Sequence, residues 1–110
     1  MLRSFLALIF AIIVSSSLTF AGEIFGSLKE KNVAVAKGTK IEVIIEKKTY
    51  TAETDEFGSY RLFVPEKGKC ALKVYYQKQT PTFDIFSYDK STRYDFLLEN
   101  QDGKYVLRRK

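Results

Sequence analysis

The stretch ETDEFGSYRLFVPEKGKCALKVYY, Glu53 to Tyr76, decides the fold. Tyr60, Leu62 and Val64 alternate with Arg61 and Phe63. Further on, Cys70, Leu72, Val74 and Tyr76 alternate with Ala71, Lys73 and Tyr75. A period of two is the signature of a strand with one face buried. The segments between the runs are turns with a mechanism. The Asp55 carboxylate can accept from backbone N–H groups two or three residues on, and Gly58 takes a positive φ at little cost. Pro65 has no N–H for a sheet ladder, so it ends the first strand, and Gly68 helps the chain reverse. Two strands with one apolar face each need cover, and a second sheet supplies it most simply.

The same alternation runs outward on both sides. Gly22 to Glu30 reads as a first strand, with Gly26 marking a bulge or a close backbone approach. Val33 and Val35 suggest a short strand, followed by a turn at Lys37–Gly38. Ile41, Val43 and Ile45 share a face opposite Glu42 and Glu46, and Lys47–Lys48 turns the chain. Phe83 and Ile85 oppose Asp84 and Phe86. Tyr94, Phe96 and Leu98 oppose Asp95, Leu97 and Glu99. Asn100 to Gly103 is a turn, and KYVLRR is a last strand. About seven short strands between turn signals predict an all-β, antiparallel Ig-like or transthyretin-like β-sandwich.

The chain begins differently. Arg3 precedes an unbroken apolar run, Phe5 to Val14, and then three serines. Thr19 and Ala21 are small residues at the positions a signal peptidase reads. Residues 1–21 are therefore expected to be a signal peptide, and 22–110 one small domain, secreted or periplasmic. The apolar run falls short of the roughly 20 residues a spanning helix needs, so no stable membrane insertion is expected after cleavage.

Composition narrows the chemistry. The sequence has 18 basic and 13 acidic residues, a formal charge of +5, and loss of Arg3 with the leader lowers it to +4. Charges of both signs are mixed along the chain, which suits solubility better than a polyanion site, so no nucleic acid is expected as a partner. The sequence contains no histidine. Histidine-dependent nucleophilic triads and histidine metal sites are excluded, and no enzyme and no cofactor are expected. Cys70 is the single cysteine. It shares a face with Leu72 and Val74, where a thiol packs as a small, inert hydrophobe. A disulfide to a second chain is the alternative. Glu53, Asp55 and Glu56 are acidic neighbours, but without spaced loop ligands they make a poor calcium loop.

The order Ile24–Gly26–Leu28, then Thr54–Asp55–Gly58–Tyr60–Leu62, then Pro65–Gly68 resembles the carboxypeptidase regulatory-like domain, a transthyretin-like (prealbumin-like) β-sandwich. The resemblance runs from Glu23 to Tyr76. Cys70 stands where that family usually has an aromatic residue. The resemblance implies the sandwich and a secreted setting. It implies little about function, since the scaffold hosts many roles. Hydrolases of the transthyretin-like fold need histidines and a Tyr-Arg-Gly-Ser ending, and this chain has neither.

Exposed residues remain as candidates for binding. Phe63, Tyr75, Phe86 and Tyr88 fall on outward positions, and Arg108 and Arg109 lie in the basic ending. Tyrosine offers an apolar body and a polar tip, which suits a protein or glycan contact. The expected role is a non-catalytic binding or structural module meeting another envelope or extracellular protein, with a glycan as the alternative ligand. Asp55, Gly58, Pro65 and Gly68 are assigned to turn structure.

Overall fold

The computed structural model describes residues 22–110, and the expected signal peptide lies outside the described residues. Every regular element among them is a strand: β1 (Glu23–Glu30), β2 (Val33–Ala34), β3 (Lys40–Ile45), β4 (Lys48–Glu53), β5 (Ser59–Phe63), β6 (Gly68–Val74), β7 (Thr82–Ser87), β8 (Thr92–Arg93), β9 (Phe96–Gln101) and β10 (Lys104–Arg109). Two of these hold only two residues each, so the described chain has eight longer strands where about seven were expected.

The strands form two sheets. In the first, β1 is central. It pairs antiparallel with β5 and, beyond it, with β2; on its other side it meets β8 and β9, and β10 follows β9. The second sheet runs β4-β3-β6-β7 and is antiparallel throughout. The all-β sandwich is thus as expected, with one difference. The seam between β1 and β8–β9 is parallel.

That seam keeps one register. Ile24 faces Thr92 and Leu28 faces Phe96, and Ser27 bonds to Asp95 at the same separation of 68 residues. The run from Thr92 to Gln101 is one strand interrupted at Tyr94–Asp95. At the interruption the Asp95 carboxylate replaces a ladder carbonyl, accepting from the Ser27 N–H at 2.9 Å and from its hydroxyl at 3.1 Å. Gly26 sits opposite. A Cβ there would lie 1.8 Å from the Tyr94 carbonyl oxygen, so the close approach read from the sequence is real and admits glycine only.

The inward faces are those the alternation assigned. Ile24, Leu28, Tyr60, Leu62, Phe96 and Leu98 come from the first sheet, and Ile41, Val43, Ile45, Leu72, Val74 and Ile85 from the second, all buried. Phe83 and Phe96 meet across the layers with ring centroids 5.0 Å apart. Each such aliphatic side chain contributes about 1.5–3 kcal/mol by leaving water. Buried Thr54 is satisfied from both sides: its hydroxyl donates to the Ala36 carbonyl at 2.9 Å and accepts from the Thr39 N–H at 3.1 Å.

The turns hold three surprises. The reversal expected at Lys47–Lys48 occurs at Glu46–Lys47, with Glu46 at φ 54°, and Lys48 already belongs to β4. Secondly, the Asp55 turn is not a hairpin. Its carboxylate accepts from Phe57 and Ser59, at 2.8 and 2.9 Å, two and four residues on. It carries the chain from β4 in the second sheet to β5 in the first. Finally, Pro65–Gly68 carries it back to β6. Both quoted turns are bridges between layers.

Candidate functional site

Side chains that alternate outward form two flat faces, and the residues singled out from sequence divide between them. On the second sheet, Phe86 in β7 and Tyr88 just past its end follow one another on the outer side. Both are exposed, and their rings lie near-parallel with centroids 6.0 Å apart. Tyr75 is on the same face but at the far end of the neighbouring strand, roughly 20 Å away by strand rise. It is also held. Its hydroxyl donates to Glu42 at 2.8 Å, and the Lys40 and Lys73 ammonium groups flank its ring at 4.8 and 5.9 Å. The Glu42 carboxylate pushes the Tyr75 phenol pKa upward.

Phe63 and Arg108 project from the first sheet instead. Arg108 donates to Glu99 at 2.7 Å. Arg109 packs its guanidinium 4.6 Å from the Tyr94 ring centroid, at the sandwich margin. The six sequence candidates therefore do not make one surface. Only Phe86 and Tyr88 come together.

A concavity of about 430 Å³ opens on the first sheet, lined by Phe25, Glu53, Asp55, Ser59, Arg61 and Arg93 among others. Arg61 and Arg93 flank the Phe25 ring at 5.2 and 5.7 Å. Both cations are already paired, Arg61 with Glu23 and Arg93 with Asp95. Hydrogen bonding from Arg61 holds Glu23 below the usual carboxylate range. Burial pushes Asp95 up, but bonds from Arg93 and Ser27 outweigh it and hold that carboxyl low as well. In the concavity the two arginines are spent on ion pairs, and Glu53 is a lining charge without one among the described residues. Asp55 is committed to its turn. The Cys70 thiol is buried, and burial pushes its pKa upward, away from the reactive thiolate.

The sheet edges are more telling. An edge strand turns the N–H and C=O of every second residue outward. On β7 those of Phe86 are both taken by one side chain: the Tyr94 hydroxyl donates to its carbonyl at 2.9 Å and accepts from its N–H at 3.1 Å. On β10 the Tyr105 N–H donates to the Gln79 side chain at 2.8 Å, whose amide donates to the Gly103 carbonyl at 2.9 Å. On β5 both groups of Ser59 bond to Asp55.

β4 differs. Thr54 bonds to Thr39 and Gly38 through its own N–H and C=O, so even-numbered residues of this segment face β3. Thr49, Thr51 and Glu53 point their backbone groups the other way, and their side chains are exposed. Among the described residues β3 is the strand that pairs with β4, and no side chain hydrogen-bonds to these outward groups; on the other edges the outward groups of Arg61 and Phe63, of Thr82 and Asp84, and of Leu107 share that state. Two side-chain contacts tie the strand to the loop that follows β5. Glu66, in the loop after β5, accepts from the Tyr50 hydroxyl at 2.5 Å and pairs with the Lys48 ammonium at 2.8 Å. Lys48 and Tyr50 together hold the Glu66 carboxyl below its ordinary range.

Sequence reasoning passed over the two most exposed large apolar side chains, Phe57 at 70% and Val33 at 66%. They flank the contact between Gly58 and Ala34, where a Cβ on Gly58 would lie 3.1 Å from that of Ala34. Phe57 was legible in principle. A residue between a turn aspartate and a positive-φ glycine has no inward face to occupy.

No sequence model of a known protein family matches this chain, and no curated protein sequence matches it significantly.

Proposed function

We propose that this chain is a secreted, non-catalytic β-sandwich module that binds protein in the cell envelope or outside the cell, through strand addition at β4. The observation that carries this reading is the contrast between edges. On β5, β7 and β10 one outward residue each, Ser59, Phe86 and Tyr105, has backbone groups bonded, whereas on β4 none of Thr49, Thr51 and Glu53 does. An open, straight edge is normally blunted by charge, proline or a bulge, because it accepts any extended segment. An edge on which every outward group is unbonded is suited to main-chain recognition. The resemblance of the stretch from Glu23 to Tyr76 to carboxypeptidase regulatory-like domains supports the same view, since such sandwiches serve as appended modules. The absence of histidine from the sequence supports a non-catalytic role.

Thr51→Pro tests the reading. The Thr51 N–H faces away from β3, so proline there removes no internal bond and leaves the fold intact. Affinity capture from the native envelope should recover a protein with the unaltered chain and lose it with the variant. The Thr49 and Thr51 amides should exchange more slowly in the complex. Equal capture by both chains would refute β4 as the docking edge.

A glycan is the second reading, favoured by the exposed parallel pair of Phe86 and Tyr88. Sedimentation with cell-wall polymer that is lost on Tyr88→Ala, and unaffected by Thr51→Pro, would select it.

A further inference from the structure

We propose that the occupant of the β4 edge is a second copy of this chain, paired antiparallel, β4 to β4, about an axis through Tyr50. This inference rests on the reading of β4 as a docking edge. Its basis is the distribution of charge along the strand. Lys47 and Lys48 stand at the start of β4 and Glu53 at its end. Lys48 is consumed by Glu66. Lys47 and Glu53 are exposed and have no ion pair among the described residues. A strand positive at one end and negative at the other is complementary to itself reversed. A parallel copy would set like charge beside like.

The outward backbone groups restrict the register. Only odd-numbered residues of β4 face the edge, so odd must stand opposite odd. Centring the pair on Thr51 would place Lys47 against Asp55 of the second copy, whose carboxylate already holds the N–H groups of Phe57 and Ser59. Centring it on Tyr50 places Lys47 against Glu53 and Thr49 against Thr51, each contact made twice by symmetry. Threonine pairs and opposite charges are both favourable across neighbouring strands. The result joins two four-stranded sheets into one continuous sheet. A two-fold contact uses the same patch on both copies and closes on itself. Each copy spends its β4 edge on the other, so assembly through this edge stops at the dimer. The contact is short, so the dimer belongs to the weak, reversible class.

Sedimentation velocity of the purified protein, from about 5 to about 500 μM, should show a monomer converting to dimer by mass action. Thr51→Pro should leave monomer across the range. Lys47→Glu and Glu53→Lys should each weaken the dimer at least about tenfold by setting like charges opposite one another. The double variant Lys47→Glu/Glu53→Lys should restore it, a rescue that no folding defect can mimic. A monomer at every concentration overturns the second copy as occupant; if Thr51→Pro still abolishes capture of an envelope protein, the edge reading itself stands. A dimer that withstands Thr51→Pro and both charge reversals also overturns the inference, because its interface is elsewhere.

Discussion

The Tyr94 hydroxyl, carried by one sheet, closes on the Phe86 backbone of the other, 2.9 Å from its carbonyl oxygen and 3.1 Å from its nitrogen. One phenol thus ties the layers together and covers the edge of β7. Tyr94→Phe keeps the ring and its stacking on Phe96 but removes the tie. The expected loss is about 1–2 kcal/mol in denaturant unfolding, the cost of leaving partly buried backbone groups unmet. The Phe86 amide should exchange markedly faster in the variant. An unchanged rate would show that the hydroxyl does not guard the edge.

Gly26→Ala should be far worse than Gly38→Ala. At Gly26 the new methyl meets the rigid Tyr94 carbonyl at 1.8 Å, so the parallel seam must part. The expected cost is at least about 3 kcal/mol, the upper range for overpacking. Gly38 has open space around it and only a positive φ of 88° to satisfy. Its substitution should cost about 1 kcal/mol. Equal thermal midpoints for the two variants would contradict the contact.

Asp95 links stability to acid. Its folded pKa lies below the ordinary aspartate value. The folded state therefore releases this proton more readily than the unfolded chain does. The stabilisation is complete above the unfolded-state pKa and is lost as pH falls through the depressed folded one. Asp95→Ala should cost about 1–3 kcal/mol at neutral pH by stranding the Ser27 N–H. The difference between variant and parent should shrink as urea titrations move from pH 7 into the acid range. A gap that is constant with pH would show that the carboxylate charge is irrelevant.

The hairpin between β6 and β7 offers a gain. Gln77 and Lys78 form its tip with φ of 50° and 62°, a conformation that side chains with a Cβ resist. The two-residue tip between β9 and β10 solves the same geometry with Asp102–Gly103. Replacing Gln77–Lys78 by Asn–Gly should add about 1 kcal/mol of stability. A lower thermal midpoint would mean that the native tip side chains make contacts worth more than the strain.

Much of this architecture was legible. Parity alone assigned Ile41, Val43 and Ile45, and Tyr60, Leu62 and Val64, to the interior, because a pleated strand leaves each side chain one of two faces. Parity does not say which strand lies alongside. The turns at Asp55 and Pro65 were readable as turns, yet both lead from one sheet to the other, and nothing local distinguishes such a bridge from a hairpin. The break at Tyr94–Asp95 was invisible for a related reason: Tyr94, Phe96 and Leu98 keep alternating across it. The candidate surface was half legible. Phe63, Tyr75, Phe86 and Tyr88 are outward as read, but their separation depends on pairing between distant segments. The difference between β4 and the other edges depends on what Tyr94, Gln79 and Asp55 do on other strands.

The parallel seam fixes when the molecule can be finished. β1 leaves the ribosome first, yet its neighbours on one side are β8 and β9, near the other end of the chain. No N-terminal fragment can complete its own middle strand during synthesis. The fold must wait for almost the whole polypeptide, and loop closure over such a span makes assembly slow. A chain whose central strand has no neighbour on one side until residues 92–101 are made stays open, and so threadable, for most of its synthesis.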